Sequence, residues 1–114
     1  DDDILRLLRE SQAAAVQDMQ ARALAEARAE AERLWIATEA ALAQQGNLLS
    51  ASELAELQVA VAHLKALTAA DDAAAISTAA DALNHASETF AARRMDAGIR
   101  QAFTGKTLTD FEEH

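Results

Sequence analysis

The chain has 114 residues and a net charge of −9, with many alanines and no proline, cysteine or tyrosine. That length is sufficient for one small domain with one modest core. The few aromatic and β-branched residues disfavour a sheet, and the lack of cysteine excludes disulfides and thiolate metal ligands. The excess of acidic over basic residues disfavours nucleic acid and anionic membranes as partners. No apolar run approaches the length of a membrane-spanning helix. We therefore expect an all-α protein that binds neither nucleic acid nor membrane.

The first predicted element is a long helix over residues 3–45, because this stretch contains neither proline nor glycine. The acidic residues at the start of the chain suit a helix N-terminus. The two helices that follow are shorter and can cover only one end of a helix that is roughly 60 Å long. We therefore interpret residues 1–23 as a projecting arm. Its large apolar side chains need a partner for docking or self-association: Ile4, Leu7, Leu8, Val16 and Met19.

From Leu24 onward, apolar side chains recur at spacings of three and four, which marks one buried face of the same helix. Gly46 is expected to end this helix in the left-handed conformation. A second helix is predicted over 52–68, with Ser50 and Glu53 as a capping box, and a third over 72–95. An antiparallel three-helix bundle results. Its predicted core consists of Leu24, Leu34, Leu54, Leu57, Val61, Leu64, Ile76, Leu83 and Phe90.

The apolar pattern changes after Phe90, and a new stripe begins at Met95, Ile99 and Phe103. Gly98 lies within this stripe and costs about 1 kcal/mol of helix stability relative to alanine. We expect a break or bend near residues 94–98, followed by a short C-terminal helix that ends at Gly105. The bundle would then span residues 24–105, and residues 106–114 would be a flexible tail.

Few residues carry catalytic or metal-binding chemistry. The histidines at 63, 85 and 114 are scattered; His85 and Glu88 stand one turn apart, without the paired Glu-x-x-His motifs of a dimetal bundle. No glycine-rich phosphate loop and no cysteine nucleophile is present in the sequence. Arg93 and Arg94 either pair within the fold or recognise an acidic partner. We expect no catalytic residue, metal or cofactor in this chain.

The chain opens on Asp-Asp-Asp-Ile, continues with Arg9-Glu10 and carries a long helix through Leu24, Arg28 and Leu34. In these features, and along essentially its whole length, it resembles the C-terminal helical lid of a DnaK-type chaperone. The stretch Phe-Ala-Ala-Arg-Arg-Met-Asp at 90–96, followed by Ile99-Arg100 and Gly105-Lys106, resembles more narrowly the HscA branch, which serves iron–sulfur cluster assembly. No signal peptide is visible, and because the chain opens without an initiator methionine we expect it to be a fragment of a longer protein.

This resemblance implies a lid in a bacterial, cytoplasmic chaperone. The arm would dock on a β-sandwich peptide-binding subdomain of the same parent chain, and closure would slow peptide release. It also implies ATP in a separate domain of the parent, an iron–sulfur scaffold protein as client, and a J-domain cochaperone. In the family pattern a lid carboxylate latches onto the sandwich, and Glu32 occupies that position, while the histidine one turn later is Ile36 here. Glu32 is either this latch or a surface acid paired with Arg28.

Two other classes of protein remain open. One is an independent helical interaction module whose arm dimerises, and the other is an amphipathic protein that coats a lipid or polymer surface. The well-formed helix caps and the consistent core pattern favour a defined bundle over a surface coat. An isolated fragment is expected to form a homodimer or higher assembly through residues 4–23. Only a lid would alter the ligand kinetics of another domain, which separates it from the independent module.

Overall fold

The computed structural model describes the backbone of residues 2–113 and the side chains of residues 2–104. Helix α1 (Asp2–Gln45) is uninterrupted, and its 44 residues correspond to a length of about 66 Å. It is followed by α2 (Ala51–Leu67), α3 (Ala73–Ala86) and α4 (Glu88–Glu113). Every regular element within residues 2–113 is helical, so the predicted all-α class with a long N-terminal helix is confirmed.

A short 3-10 helix, Gly46–Leu48, separates α1 from α2. Gly46 does not have a positive φ, so the predicted left-handed termination is wrong. Helix α1 is followed instead by the narrower turn of the 3-10 helix, in which the Leu49 N–H donates to the Gly46 carbonyl at 3.1 Å. The predicted capping box is present at the start of α2. Ser50 Oγ accepts the Glu53 N–H at 3.2 Å, and the Glu53 carboxylate accepts the Ser50 N–H at 2.9 Å.

The C-terminal half of α1 packs with α2 and α3 as a three-helix bundle. Alanines on α1 allow close approach of the other two helices, whose leucines and isoleucine fill the centre. The buried apolar residues of the described chain are Ala27, Ala31, Ala41, Leu57, Val61, Leu64, Ile76, Ala79, Leu83 and Phe90. Three residues of the predicted core, Leu24, Leu34 and Leu54, are only half-buried because they lie at its margin.

The break after the third helix lies at Ser87, so the predicted break at 94–98 is misplaced. Ser87 Oγ donates to the Asn84 carbonyl at 2.9 Å, a local bond that competes with regular helix. Helix α4 then continues through Gly98 to Glu113 and is longer than the short helix expected. Gly98 is tolerated there because it is exposed and needs no side chain for packing. The predicted flexibility of residues 106–114 falls outside the residues with described side chains.

Helical projections leave the bundle at both of its ends. Residues 2–23 of α1 extend beyond the turn between α2 and α3. At the other end, Arg94 of α4 donates to the side chain of Gln45, the last residue of α1, at 2.7 Å. The molecule measures 89 × 35 × 17 Å, which exceeds the length of α1 alone and reflects this extended outline.

Candidate docking surface and latch position

The arm, residues 2–23 of α1, is exposed at every position. Its apolar residues are between 52% and 69% exposed, and they are Ile4, Leu5, Leu7, Leu8, Val16 and Met19. Leu5 is not among the arm residues predicted from the sequence. Because it is a large apolar residue next to Ile4, the sequence was sufficient to identify it. An exposed row of large apolar side chains in a protein with a separate core indicates an interaction surface.

Arg28 fastens the base of the arm to the bundle. Its Nε donates to the Thr68 carbonyl at 3.0 Å, and its Nη2 donates to the Ala70 carbonyl at 3.1 Å. The same Nη2 forms an ion pair with the Asp71 carboxylate at 2.8 Å. These three bonds hold the turn between α2 and α3 against α1. The direction in which the arm leaves the bundle is therefore set by polar contacts as well as by the core.

Glu32 lies on α1 one turn after Arg28, and its side chain is exposed. Because Arg28 is engaged with the α2–α3 turn, it does not form the surface pair with Glu32 that was the alternative interpretation. Ile36, one further turn along the same face, is 54% exposed. The carboxylate of Glu32 is thus accessible to an external partner, and its role as a latch stays a prediction.

Arg93 joins α4 to the start of α2. Its guanidinium forms two hydrogen bonds with the Glu53 carboxylate, at 2.7 and 3.0 Å, and a third with the Leu48 carbonyl at 2.9 Å. The bonds from Arg93, together with those from Ser50, lower the pKa of Glu53 from 4.5 to about 2. Reciprocally, the hydrogen bonds that Arg93 donates to Glu53 raise the pKa of Arg93. Arg93 therefore pairs within the fold, which is one of the two alternatives expected for it.

The described residues provide little for catalysis or metal binding. His85 Nδ1 lies 3.5 Å from Glu88 Oε2, and both side chains are largely exposed. Within the described part of the chain, no three histidine, cysteine or acidic side chains are grouped as metal ligands would be. His63 is exposed, and His114 lies outside the described residues. Of the helices in those residues, none combines the length and apolar character needed to traverse a membrane.

Comparisons with known proteins agree with this architecture. The family model described as Hsp70 protein matches residues 1–96, so the chain belongs to the Hsp70 family. Among its relatives, the chain is 53% identical over 110 residues to the chaperone protein HscA homolog of Burkholderia mallei (strain SAVP1). It is 50% identical over 108 residues to the HscA homolog of Verminephrobacter eiseniae (strain EF01-2). These findings confirm the resemblance to the HscA branch.

The matched regions cover nearly all of this chain but only a small part of each relative. They include 96% and 95% of this chain but only 18% and 17% of the two relatives, so the chain spans less than a fifth of their length. Because 110 of 114 residues match the Burkholderia protein, that similarity continues past residue 96, where the match to the family model ends. The distal part of α4 is therefore shared with HscA homologues.

Proposed function

We propose that this chain is the helical lid of the substrate-binding domain of an ATP-dependent chaperone, and that it slows the release of bound peptide. The observation that carries this proposal is the exposed apolar arm, residues 2–23, which continues without interruption from a bundle with its own core. Such a surface needs a partner beyond these residues. Membership of the Hsp70 family supports a chaperone as the protein that supplies it.

In the proposed arrangement, Ile4, Leu8 and their apolar neighbours pack on the β-sandwich subdomain that binds peptide in the same parent chain. Glu32 then forms an ionic latch with a basic side chain of that subdomain. Peptide escapes only while the lid is open, so release slows as the closed population rises. ATP bound in a separate domain of the parent would supply the opening step, and the parent would be the ATPase.

The resemblance of residues 90–96 to the HscA branch extends the proposal to iron–sulfur cluster assembly or transfer in the bacterial cytoplasm. The client would be the scaffold protein on which clusters are built, and a J-domain cochaperone would deliver it. Both partners would contact regions of the parent outside this chain. Since this chain has no cysteine, it offers no thiolate to ligate a cluster, which suits a mechanical role.

Replacing the proposed latch tests the mechanism. In the parent chaperone, Glu32→Ala is expected to speed the release of a fluorescent scaffold-derived peptide by about two- to fivefold, the range for one exposed ion pair. Stopped-flow fluorescence with excess unlabelled peptide measures the release rate. Glu26→Ala is the matched control, because Glu26 is another exposed acid on α1. Deletion of residues 1–114 defines the rate without a lid.

The outcomes separate the latch from the lid. Faster release after deletion, with an unchanged rate for Glu32→Ala, would reject the latch and retain the lid. An unchanged rate after deletion would reject the lid and favour an independent module that dimerises through residues 4–23.

A further inference from the structure

Arg28 lies where α1 leaves the bundle. Of the described residues of α1, Ala27 is the first that is buried, and Leu24 before it is half-buried. On the arm side of Arg28, α1 and the start of α3 are separated by an open cleft of about 600 Å³, lined by residues that include Gln20 and Ala73. Close packing of α1 against the bundle therefore begins near Arg28.

Apolar packing alone holds this end of α1 weakly. Between the half-buried Leu24 and Leu34, the buried residues of α1 are Ala27 and Ala31. Each contributes one methyl group to the core, so the apolar area that they remove from water is small. The three bonds from Arg28 to the α2–α3 turn lie between these two alanines. They therefore supply support that the alanines do not.

The turn that receives Arg28 is itself held in place. Carbonyl groups at the C-terminus of a helix lack donors from the helix itself. At the end of α2, Arg28 donates to the carbonyls of Thr68 and Ala70, as cationic side chains do at helix C-termini. On the other side of the turn, Asp72 caps α3 by accepting the Ala75 N–H at 3.0 Å. The guanidinium is thus fixed against a turn that both neighbouring helices define.

Glu32 and the apolar arm lie on either side of Arg28 along α1. Glu32 follows Arg28 by four residues, which is about one helical turn, and its side chain is exposed. The arm, residues 2–23, precedes it. The contact that fixes α1 at Arg28 therefore fixes the starting direction of the arm and the position of the Glu32 carboxylate together. Loss of this contact would let the weakly packed stretch of α1 move, and both would change.

We propose that Arg28 is a positioning residue of the lid: it holds the arm and Glu32 in the arrangement in which both reach the same subdomain of the parent. The inference rests on the proposed lid function for its effect on peptide release, but not for its effect on the geometry of α1. Arg28 itself stays bound to the α2–α3 turn and acts through the arm and Glu32.

Distances within the chain test the positioning directly. The chain has no cysteine, so nitroxide labels can be attached to Gln12→Cys on the arm and Gln58→Cys on α2. Arg28→Met removes the guanidinium and is expected to roughly double the width of the distance distribution measured by double electron–electron resonance. Arg22→Met is the matched control, because the ion pair of Arg22 with Asp18 stays within α1. Dilution with unlabelled chain restricts the measured distances to single molecules.

A second pair of labels shows whether the bundle itself has loosened. Gln44→Cys and Gln58→Cys are exposed positions that both lie on the bundle, and their distance distribution should stay narrow in Arg28→Met. Arg28→Lys keeps the charge but not the planar fork of donors, so it should broaden the arm distances less than Arg28→Met does. Equal broadening of both label pairs would show that Arg28 supports the whole fold, and would overturn the proposal.

Peptide release from the parent chaperone tests the effect on the lid. Arg28→Met is expected to speed release by at least about two- to fivefold, the change expected for Glu32→Ala. Adding Glu32→Ala to Arg28→Met should cause little further acceleration, because the latch is already misplaced. Val61→Ala is the control for stability, since Val61 is 5% exposed and weakens the bundle through its core. Its release rate should stay nearly unchanged at a temperature where the bundle is folded.

The two experiments can fail separately. Arm distances that are equally narrow in Arg28→Met and in the unmodified chain would overturn the proposal, whatever the release rates are. Additive acceleration by Arg28→Met and Glu32→Ala, or equal acceleration by Val61→Ala, would overturn it too, because Arg28 would then not act through Glu32. Deletion of residues 1–114 without an effect on release would instead reject the lid function, and the arm distances would decide the positioning role by themselves.

Discussion

At the scale of single residues, Glu53 shows how one polar side chain can connect two helices. Its carboxylate closes the capping box with Ser50 and receives two hydrogen bonds from Arg93. One side chain therefore organises the start of α2 and anchors α4 to it. The ionised form is the one that accepts all of these bonds, so the pKa of Glu53 falls to about 2.

This lowered pKa predicts how the stability of the protein depends on pH. Because the pKa of Glu53 is about 2 in the folded chain and 4.5 otherwise, its contribution is complete above the higher value and is lost as the pH falls toward the lower one. Glu53→Gln should therefore lower the free energy of unfolding at neutral pH and flatten its decline in acid. Urea denaturation at a series of pH values measures this. Glu56→Gln, an exposed acid on the same helix, is the control. Parallel curves for the unmodified chain and Glu53→Gln would contradict the assignment.

At the scale of whole helices, α1 and α4 are each anchored over part of their length and unsupported over the rest. All buried residues of α1 lie within residues 24–45, and residues 2–23 are exposed at every position. In α4, Phe90 and Arg93 provide the anchor, and the exposed residues after them depend on intrinsic helix propensity. The projecting parts of α1 and α4 should therefore unfold locally more readily than the bundle does.

Gly98 offers a way to test that dependence on propensity. It lies within α4 without a positive φ, and an added Cβ would meet no atom within 4 Å. Gly98→Ala should therefore stabilise the local helix by about 0.5–1 kcal/mol. Amide hydrogen exchange of residues 95–104 is the appropriate measurement, because a local gain need not change the global unfolding temperature. Gly46→Ala, also free of close atoms but located in the 3-10 helix, should leave that exchange unchanged. Unaltered protection in Gly98→Ala would indicate that propensity does not control this segment.

At the scale of the whole molecule, stability and interaction occupy different regions. The core of the bundle combines alanines of α1 with larger side chains such as Leu57, Ile76 and Leu83. Among the residues with described side chains, 2–104, both projections leave their large apolar side chains exposed. Folding of the bundle therefore does not require the arm, and the apolar surface of the arm remains available for a partner.

A pair of truncations tests this division. Leu83 is 0% exposed, so Leu83→Ala should reduce the free energy of unfolding by about 2–5 kcal/mol. Leu7 is 62% exposed on the arm, so Leu7→Ala should change it by no more than about 0.5 kcal/mol. Urea denaturation of the dilute chain measures both without appreciable self-association. Similar losses in the two variants would show that the arm contributes to the folded monomer.

The residues of the candidate site were predictable from sequence to different degrees. Ile4, Leu7 and Leu8 are visible as an apolar stripe that the shorter helices cannot reach, and the structure leaves them exposed. The surroundings of Glu32 were not predictable, because they depend on where Arg28 directs its guanidinium. That group bonds Asp71, 43 residues away, and no spacing along one helix reveals such a partner.

The sequence by itself determined the helical class, the length of α1, the capping box and the presence of an uncovered arm. These features follow from interactions within a few residues, namely helix propensity, apolar periodicity and cap chemistry. Only the tertiary structure decided that Arg93 binds Glu53, 40 residues earlier in the chain. It also decided that Met95 and Ile99 face away from the bundle. Such features depend on how helices pack in space, because groups that are distant along the chain compete there for the same partners.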